Sequence, residues 1–169
     1  MIAHLWAVLL ELIRTPFQYA EMVWGIVPLY FTWILNELTS PKASYRTATQ
    51  TGFAFLWAGA NWTWQYLAAR PGQSPRLDLT ALFAVNVLVT VLVLAVGLLA
   101  LISGIRRRFP RYGSFLGHSR FSAYFMIAIF PIQSNYLSWS WDRFLAILIF
   151  AGPLWLLIHA GQMAFRPKQ

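Results

Sequence analysis

The chain has 169 residues, of which 59% are hydrophobic and 11% are charged, whereas a soluble domain carries about 25% charged residues. It contains no cysteine, which excludes disulfides, iron–sulfur clusters and thiolate zinc sites. A net charge of +8 would suggest nucleic acid as the partner of a soluble protein, but the basic residues here stand between apolar stretches. The composition therefore predicts an integral membrane protein that does not bind nucleic acid.

The first apolar stretch is too short to cross a bilayer. Residues 2–14 place Glu11 and Arg14 on one helical face. Thr15-Pro16 follows, and the residue before a proline disfavours the helical conformation. This pattern predicts a helix over residues 2–14 that lies in the membrane interface.

Apolar segments continue along the rest of the chain, and the clearest covers residues 79–105. It holds neither charge nor proline, and at about 1.5 Å per residue it would reach about 40 Å, beyond the roughly 30 Å of a hydrocarbon core. The segment that follows the interfacial helix is the weakest candidate for a transmembrane helix, because only fifteen uncharged residues separate Glu21 from Glu37 and Pro28 interrupts them. It either crosses the membrane or dips in and returns. The predicted spans are residues 22–38, 49–69, 79–105, 121–137 and 144–165.

These segments predict one all-α membrane domain over residues 1–169, with an N-terminal interfacial helix and four or five transmembrane helices. With five spans, nine Lys and Arg residues fall on one side and four on the other; without the first span the division is ten to three. Cytoplasmic loops are enriched in basic residues, so both arrangements place the C-terminus and the basic loop 106–120 in the cytoplasm. The expected location is a bacterial inner membrane.

Small residues at helical spacing predict where the spans pack on each other. In the predicted span 49–69, the small residues Ala54 and Ala58 form one stripe with the polar residues Asn61 and Gln65. In the predicted span 79–105, the stripe consists of Gly97, Ala100 and Gly104.

Polar residues within or beside the spans have two interpretations. Amide side chains hydrogen-bond neighbouring membrane helices together, and the same groups line the polar path of a transporter. An intramembrane carboxylate indicates function by default, and Glu37 beside Asn36 is the favoured one. The residues open to both interpretations are Glu37, Asn61, Gln65, Gln133 and Asn135.

Two further groups of residues are candidate binding sites. His159 is a weak candidate ligand for a cofactor such as haem, but no second ligand follows on its helix. A packing histidine is the alternative, and neither a cofactor nor a metal is expected. The cluster Arg106, Arg107, Arg108 and Arg111 is typical of a stop-transfer sequence and would also attract anionic lipids or an acidic partner.

No catalytic motif occurs, and the connecting loops are short. The sequence therefore predicts a non-enzymatic subunit or scaffold of a larger membrane complex, with other integral membrane subunits or further copies of the chain as partners. A small transporter or channel with a path through Glu37, Asn61 and Gln133–Asn135 is the alternative. An intramembrane enzyme ranks third.

Overall fold

The computed structural model describes residues 1–39, 44–67, 81–107 and 120–165. Every regular element within these ranges is a helix, so the all-α prediction is confirmed for them. One stretch among the described residues, Ala84–Arg106, is long and apolar enough to cross a membrane, and Ser122–Gln133 is a shorter apolar helix. The helices of this part are α1 (Ile2–Gln18), α2 (Ala20–Thr39), α3 (Tyr45–Leu67), α4 (Ala81–Arg106), α5 (Arg120–Gln133) and α6 (Trp141–Phe165).

Helix α2 runs antiparallel to α3 along its whole length. Near the start of α2, Gln65 Nε2 donates a hydrogen bond to the Glu21 carbonyl at 3.1 Å. Near its end, Asn36 Nδ2 donates to Thr51 Oγ1 at 2.9 Å. The helix continues through Pro28, so this segment does not fold back on itself as the re-entrant alternative required.

Helices α3 and α4 approach each other closely through glycines. A Cβ added at Gly52 would lie 2.5 Å from the Leu101 amide nitrogen and 2.8 Å from the Gly97 carbonyl oxygen. One added at Gly104 would lie 2.7 Å from the Tyr45 carbonyl oxygen. The predicted seam Gly97, Ala100 and Gly104 is buried, with both glycines against α3. On α3 it is met by Gly52, and Gly59 packs against Leu94 further along α4. Ala54 and Ala58 instead belong to the core cluster that α2 and α5 share.

Helix α5 ends at Gln133, four residues before the predicted limit of that span. Asn135 adopts a left-handed conformation with φ 60°, which asparagine tolerates better than most residues and which stops a helix. The Pro131 carbonyl oxygen then accepts hydrogen bonds from the Tyr136 and Leu137 amides. The extended segment that follows leads directly into α6.

Helix α1 packs against α5 and against the first half of α6. His4 and Glu11, seven residues apart on one face, contact the consecutive residues Asp142 and Arg143 at 3.2 and 3.4 Å. Its apolar face packs inward through Leu9. The helix extends to Gln18, beyond the predicted end at residue 14.

The prediction for the end of α1 was wrong, because the helix continues through Pro16 for two further residues. A proline removes one helical hydrogen bond, and Leu12, Thr15 and Pro16 are all buried in the bundle. The hydroxyl of the preceding Thr15 also donates to the Glu11 carbonyl at 2.7 Å. Tyr19 is extended and separates α1 from α2.

The antiparallel order gives the helical bundle two distinct ends. The network end contains the start of α2, the end of α3, the start of α4, the end of α5 and the start of α6, where His4 and Glu11 of α1 contact Asp142 and Arg143. The arginine end contains the end of α2, the start of α3 and the end of α4, with the described basic residues Arg46, Arg106 and Arg107.

Candidate functional site

A hydrogen-bonded group of polar side chains joins four parts of the chain at the network end. Asn86 on α4 is its centre: its Oδ1 accepts from Gln133 Nε2 at 3.3 Å and from Trp139 Nε1 at 2.7 Å. Its Nδ2 donates to the Tyr66 hydroxyl at 3.3 Å. Thr90, one turn further along α4, donates to Gln133 Oε1 at 3.2 Å. Both ends of the Gln133 amide are therefore occupied by hydrogen bonds to α4.

A second polar group lies between α2, α3 and the segment after α5. Gln65 Nε2 donates to Asn61 Oδ1 at 3.3 Å as well as to the Glu21 carbonyl. The Tyr136 hydroxyl donates to the Glu21 carboxylate at 2.7 Å. Gly25 makes the closeness possible, because an added Cβ would meet the Asn61 amide and the Phe130 ring.

Trp62 Nε1, Gln65 Oε1 and Ser134 Oγ are buried near these polar groups and make no hydrogen bond within the described ranges. Trp62 packs against the Phe130 ring, with 5.7 Å between ring centroids, and Ser134 follows Phe130 by one turn. The interior at this end therefore holds more hydrogen-bonding groups than the described contacts use.

The structure separates the residues of the predicted polar path. Asn61 and Gln65 lie together, but Gln133 belongs to the other polar group, centred on Asn86. Asn135 terminates α5. Residue 37 lies sixteen residues beyond Glu21 on α2, about 24 Å along the helix axis, and its side chain lies outside the described part.

Sequence reasoning missed the centre of the first polar group. Asn86 and Thr90 are spaced four residues apart within the longest apolar run of the chain. Polar residues one turn apart on an otherwise apolar helix share a face, so they indicate a contact with another helix. Trp139 carried no comparable signal, because its partner depends on how the segment after α5 folds back.

The remaining candidates divide between described and undescribed residues. Arg106 and Arg107 are exposed at the end of α4, whereas Arg108 and Arg111 lie outside the described ranges. His159 lies on α6, and its side chain is outside the described part of the structure. Across the described residues, no three His, Asp or Glu side chains come together as a metal site would require.

An open cavity of about 320 Å³ lies where α4 and α6 begin. Most of its lining side chains are aromatic or aliphatic, and it is adjacent to Asn86 through Trp139. The lining residues are Val85, Trp139, Ser140, Trp141 and Phe144.

Comparison of this chain with models of protein families, with curated proteins and with solved structures gives no match. Its function therefore has to be argued from its own residues.

Proposed function

We propose that this chain is a multi-pass membrane protein that serves as a non-catalytic subunit or scaffold of a larger membrane assembly. The observation that supports membrane insertion is that polar side chains are buried while large apolar side chains are exposed. Gln133 and Ser134 are 1% and 0% exposed, whereas Leu88 and Leu99 are 64% and 60% exposed. A soluble protein places polar groups outside and avoids large apolar patches, so this arrangement fits a lipid surrounding.

The polarity of α3 supports the same proposal. Its amino-acid composition is the most polar of the spans, but Thr51 and Gln65 are buried and make hydrogen bonds to α2. Membrane helices use such side chains to bind neighbouring helices. The non-helical backbone after α5 is likewise hydrogen-bonded to Pro131, as a backbone at membrane depth must be.

The charges suggest an orientation with five crossings. Three described arginines, Arg46, Arg106 and Arg107, lie at the arginine end, whereas Arg14 and Arg143 lie at the network end together with the three described acidic side chains. The positive-inside rule then places the arginine end in the cytoplasm. Helix α1, with its charged face toward the network end, would lie at the outer surface of the membrane.

This orientation predicts the labelling of single cysteines, which is straightforward because the chain has none of its own. In intact cells, Gln18→Cys is expected to react with a membrane-impermeant maleimide. Arg107→Cys is expected to react only after permeabilisation, because it lies at the arginine end. Both positions are exposed, so a lack of reaction reports the side of the membrane. Equal labelling of both variants in intact cells would contradict the proposal.

The scaffold part is supported by the hydrogen bonds of the polar groups and by the exposed apolar faces of the helices. Both the nitrogen and the oxygen of the Gln133 amide are hydrogen-bonded to α4, which is how a helix contact is made and not how an open path is lined. Helix α4 packs mainly against α3, so Leu88, Leu98 and Leu99 remain exposed. These faces are available to lipids or to partner helices.

The experiment that tests the scaffold part is extraction from the native membrane in mild detergent, followed by a native gel and mass spectrometry of the band. A large band with stoichiometric partner subunits is expected. A band of this chain alone, or of its copies alone, would contradict the subunit proposal.

The transporter alternative is supported by the unbonded Gln65 Oε1 and Ser134 Oγ inside the bundle. It makes a different prediction for the purified chain in liposomes. Ion conductance or solute uptake by the purified chain, measured without partners, would establish the alternative if Asn61→Ala and Glu37→Gln each abolished it. Flux indistinguishable from empty liposomes would exclude it.

A further inference from the structure

We infer that the arginine end of the α3–α4 pair binds the headgroup of an anionic phospholipid from the adjoining leaflet. The inference rests on the proposed membrane insertion and adds a ligand to it. Its basis is that packing brings a basic residue from the start of α3 beside the basic end of α4.

The two helices touch immediately beside these residues. Gly104 packs against the backbone of Tyr45 and Thr49, with 2.7 and 2.8 Å from an added Cβ to the Tyr45 carbonyl oxygen and the Thr49 amide nitrogen. Arg46 follows Tyr45, and Arg106 is two residues beyond Gly104. All three arginines, including Arg107, are exposed. They therefore lie at the same end of the helix pair, with Arg106 on the face of α4 that is turned away from α3.

Nothing described compensates their charge. The acidic side chains that the structure describes, Glu11, Glu21 and Asp142, belong to the network end, where Glu11 and Asp142 pair with basic partners. The first turn of α3 holds no acidic residue and instead carries Arg46, so this arginine adds to the positive end of the helix dipole. A phosphate group with one or more negative charges complements this arrangement.

The neighbouring surface of α4 favours a lipid over a free anion. Ile102 and Ile105 are exposed within one turn of Arg106, so acyl chains attached to a bound phosphate would lie along an apolar helix face. Free phosphate would use the arginines alone. A lipid uses both, and it is present in the leaflet that borders this end.

The test measures binding of fluorescent phosphatidylglycerol to the purified full-length chain in mild detergent micelles, with phosphatidylcholine of the same chains as reference. Phosphatidylglycerol is expected to bind more tightly, and Arg46→Gln is expected to weaken it about fivefold while leaving phosphatidylcholine unchanged. Arg14→Gln is the matched control, because it removes one exposed positive charge from the opposite end. It is expected to change binding less than twofold.

Three results would overturn the inference. Equal effects of Arg46→Gln and Arg14→Gln would indicate a net-charge effect without a site. Equal binding of the two lipids would exclude headgroup recognition, and displacement by glycerol 1-phosphate at the same concentration as by phosphatidylglycerol would indicate a free-anion site. Unfolding temperatures of the variants in the same detergent confirm that they are folded. The assay uses the isolated chain, so its result is independent of whether partner subunits co-purify.

Discussion

Gly52→Ala is expected to destabilise the protein by about 2 kcal/mol or more, although alanine is the better helix former. The added methyl group would lie 2.5 Å from the Leu101 amide nitrogen and 2.8 Å from the Gly97 carbonyl oxygen. Both are backbone atoms, so no side-chain rotation relieves the overlap. Helices α3 and α4 would have to separate, and the contact that places Arg46 at the same end as Arg106 would loosen with them.

The matched control is Gly152→Ala, the same chemical change on α6. An added Cβ at Gly152 meets nothing within 4 Å apart from its chain neighbours. The gain from helix propensity is opposed by the following Pro153, which disfavours the helical conformation of a residue with a Cβ before it, so this variant is expected to change stability by less than about 1 kcal/mol. The two substitutions thus differ in the predicted size of their effects. Denaturant unfolding of both variants in one detergent measures them. A stabilised Gly52→Ala variant, or equal shifts for the two glycines, would show that the close approach of α3 and α4 is not as described.

Asn86→Ala is expected to cost about 2 kcal/mol, because it removes the acceptor shared by two donors from different parts of the chain. Gln133 Nε2 and Trp139 Nε1 would both lose their bond to Asn86 Oδ1. A buried donor without an acceptor costs about 1–3 kcal/mol, although single hydrogen bonds between membrane helices average about 0.6 kcal/mol. Because two donors lose their acceptor together, the expected loss of stability is larger than that average for one bond.

A double-mutant cycle with Trp139→Phe isolates one of these bonds, since phenylalanine keeps an aromatic ring and lacks the N–H group. The loss in the double variant is expected to be smaller than the sum of the two single losses. Thr63→Val is the control, because the Thr63 hydroxyl is bonded only to the Gly59 carbonyl of its own helix and is exposed. Additive losses in the cycle, or a loss in Thr63→Val equal to that in Asn86→Ala, would show that the bonds to Asn86 do not hold the helices together.

The sequence by itself determined the helical character of the described residues and the approximate position of each helix. Long apolar runs bounded by charged residues leave a chain few alternatives to helices, because each helix satisfies its own backbone. The same property explains the seam at Gly97, Ala100 and Gly104, where small residues at helical spacing mark one face whatever the partner helix is. Among the residues that the structure describes, the one stretch long and apolar enough to cross a membrane, Ala84–Arg106, also lies in the segment with the clearest sequence pattern.

Helix ends were predicted less well where a proline was involved. Pro16 was expected to end α1 and did not, whereas α5 ended early at Gln133. A proline removes one hydrogen bond wherever it stands, and the surrounding contacts decide whether the helix continues. Helix α5 ends because Asn135 is left-handed and because the Pro131 carbonyl accepts hydrogen bonds from the residues that follow it.

Only the tertiary structure decided which polar residues meet. The sequence grouped Asn61 with Gln133 because both are amides in apolar surroundings. The structure instead gives each a separate set of partners, Gln65 for one and Asn86 for the other. Side-chain partners depend on the rotation and register of each helix relative to its neighbours. Those are fixed by packing at positions such as Gly25 and Gly52, far from the amides in sequence, so no local pattern in the chain specifies them.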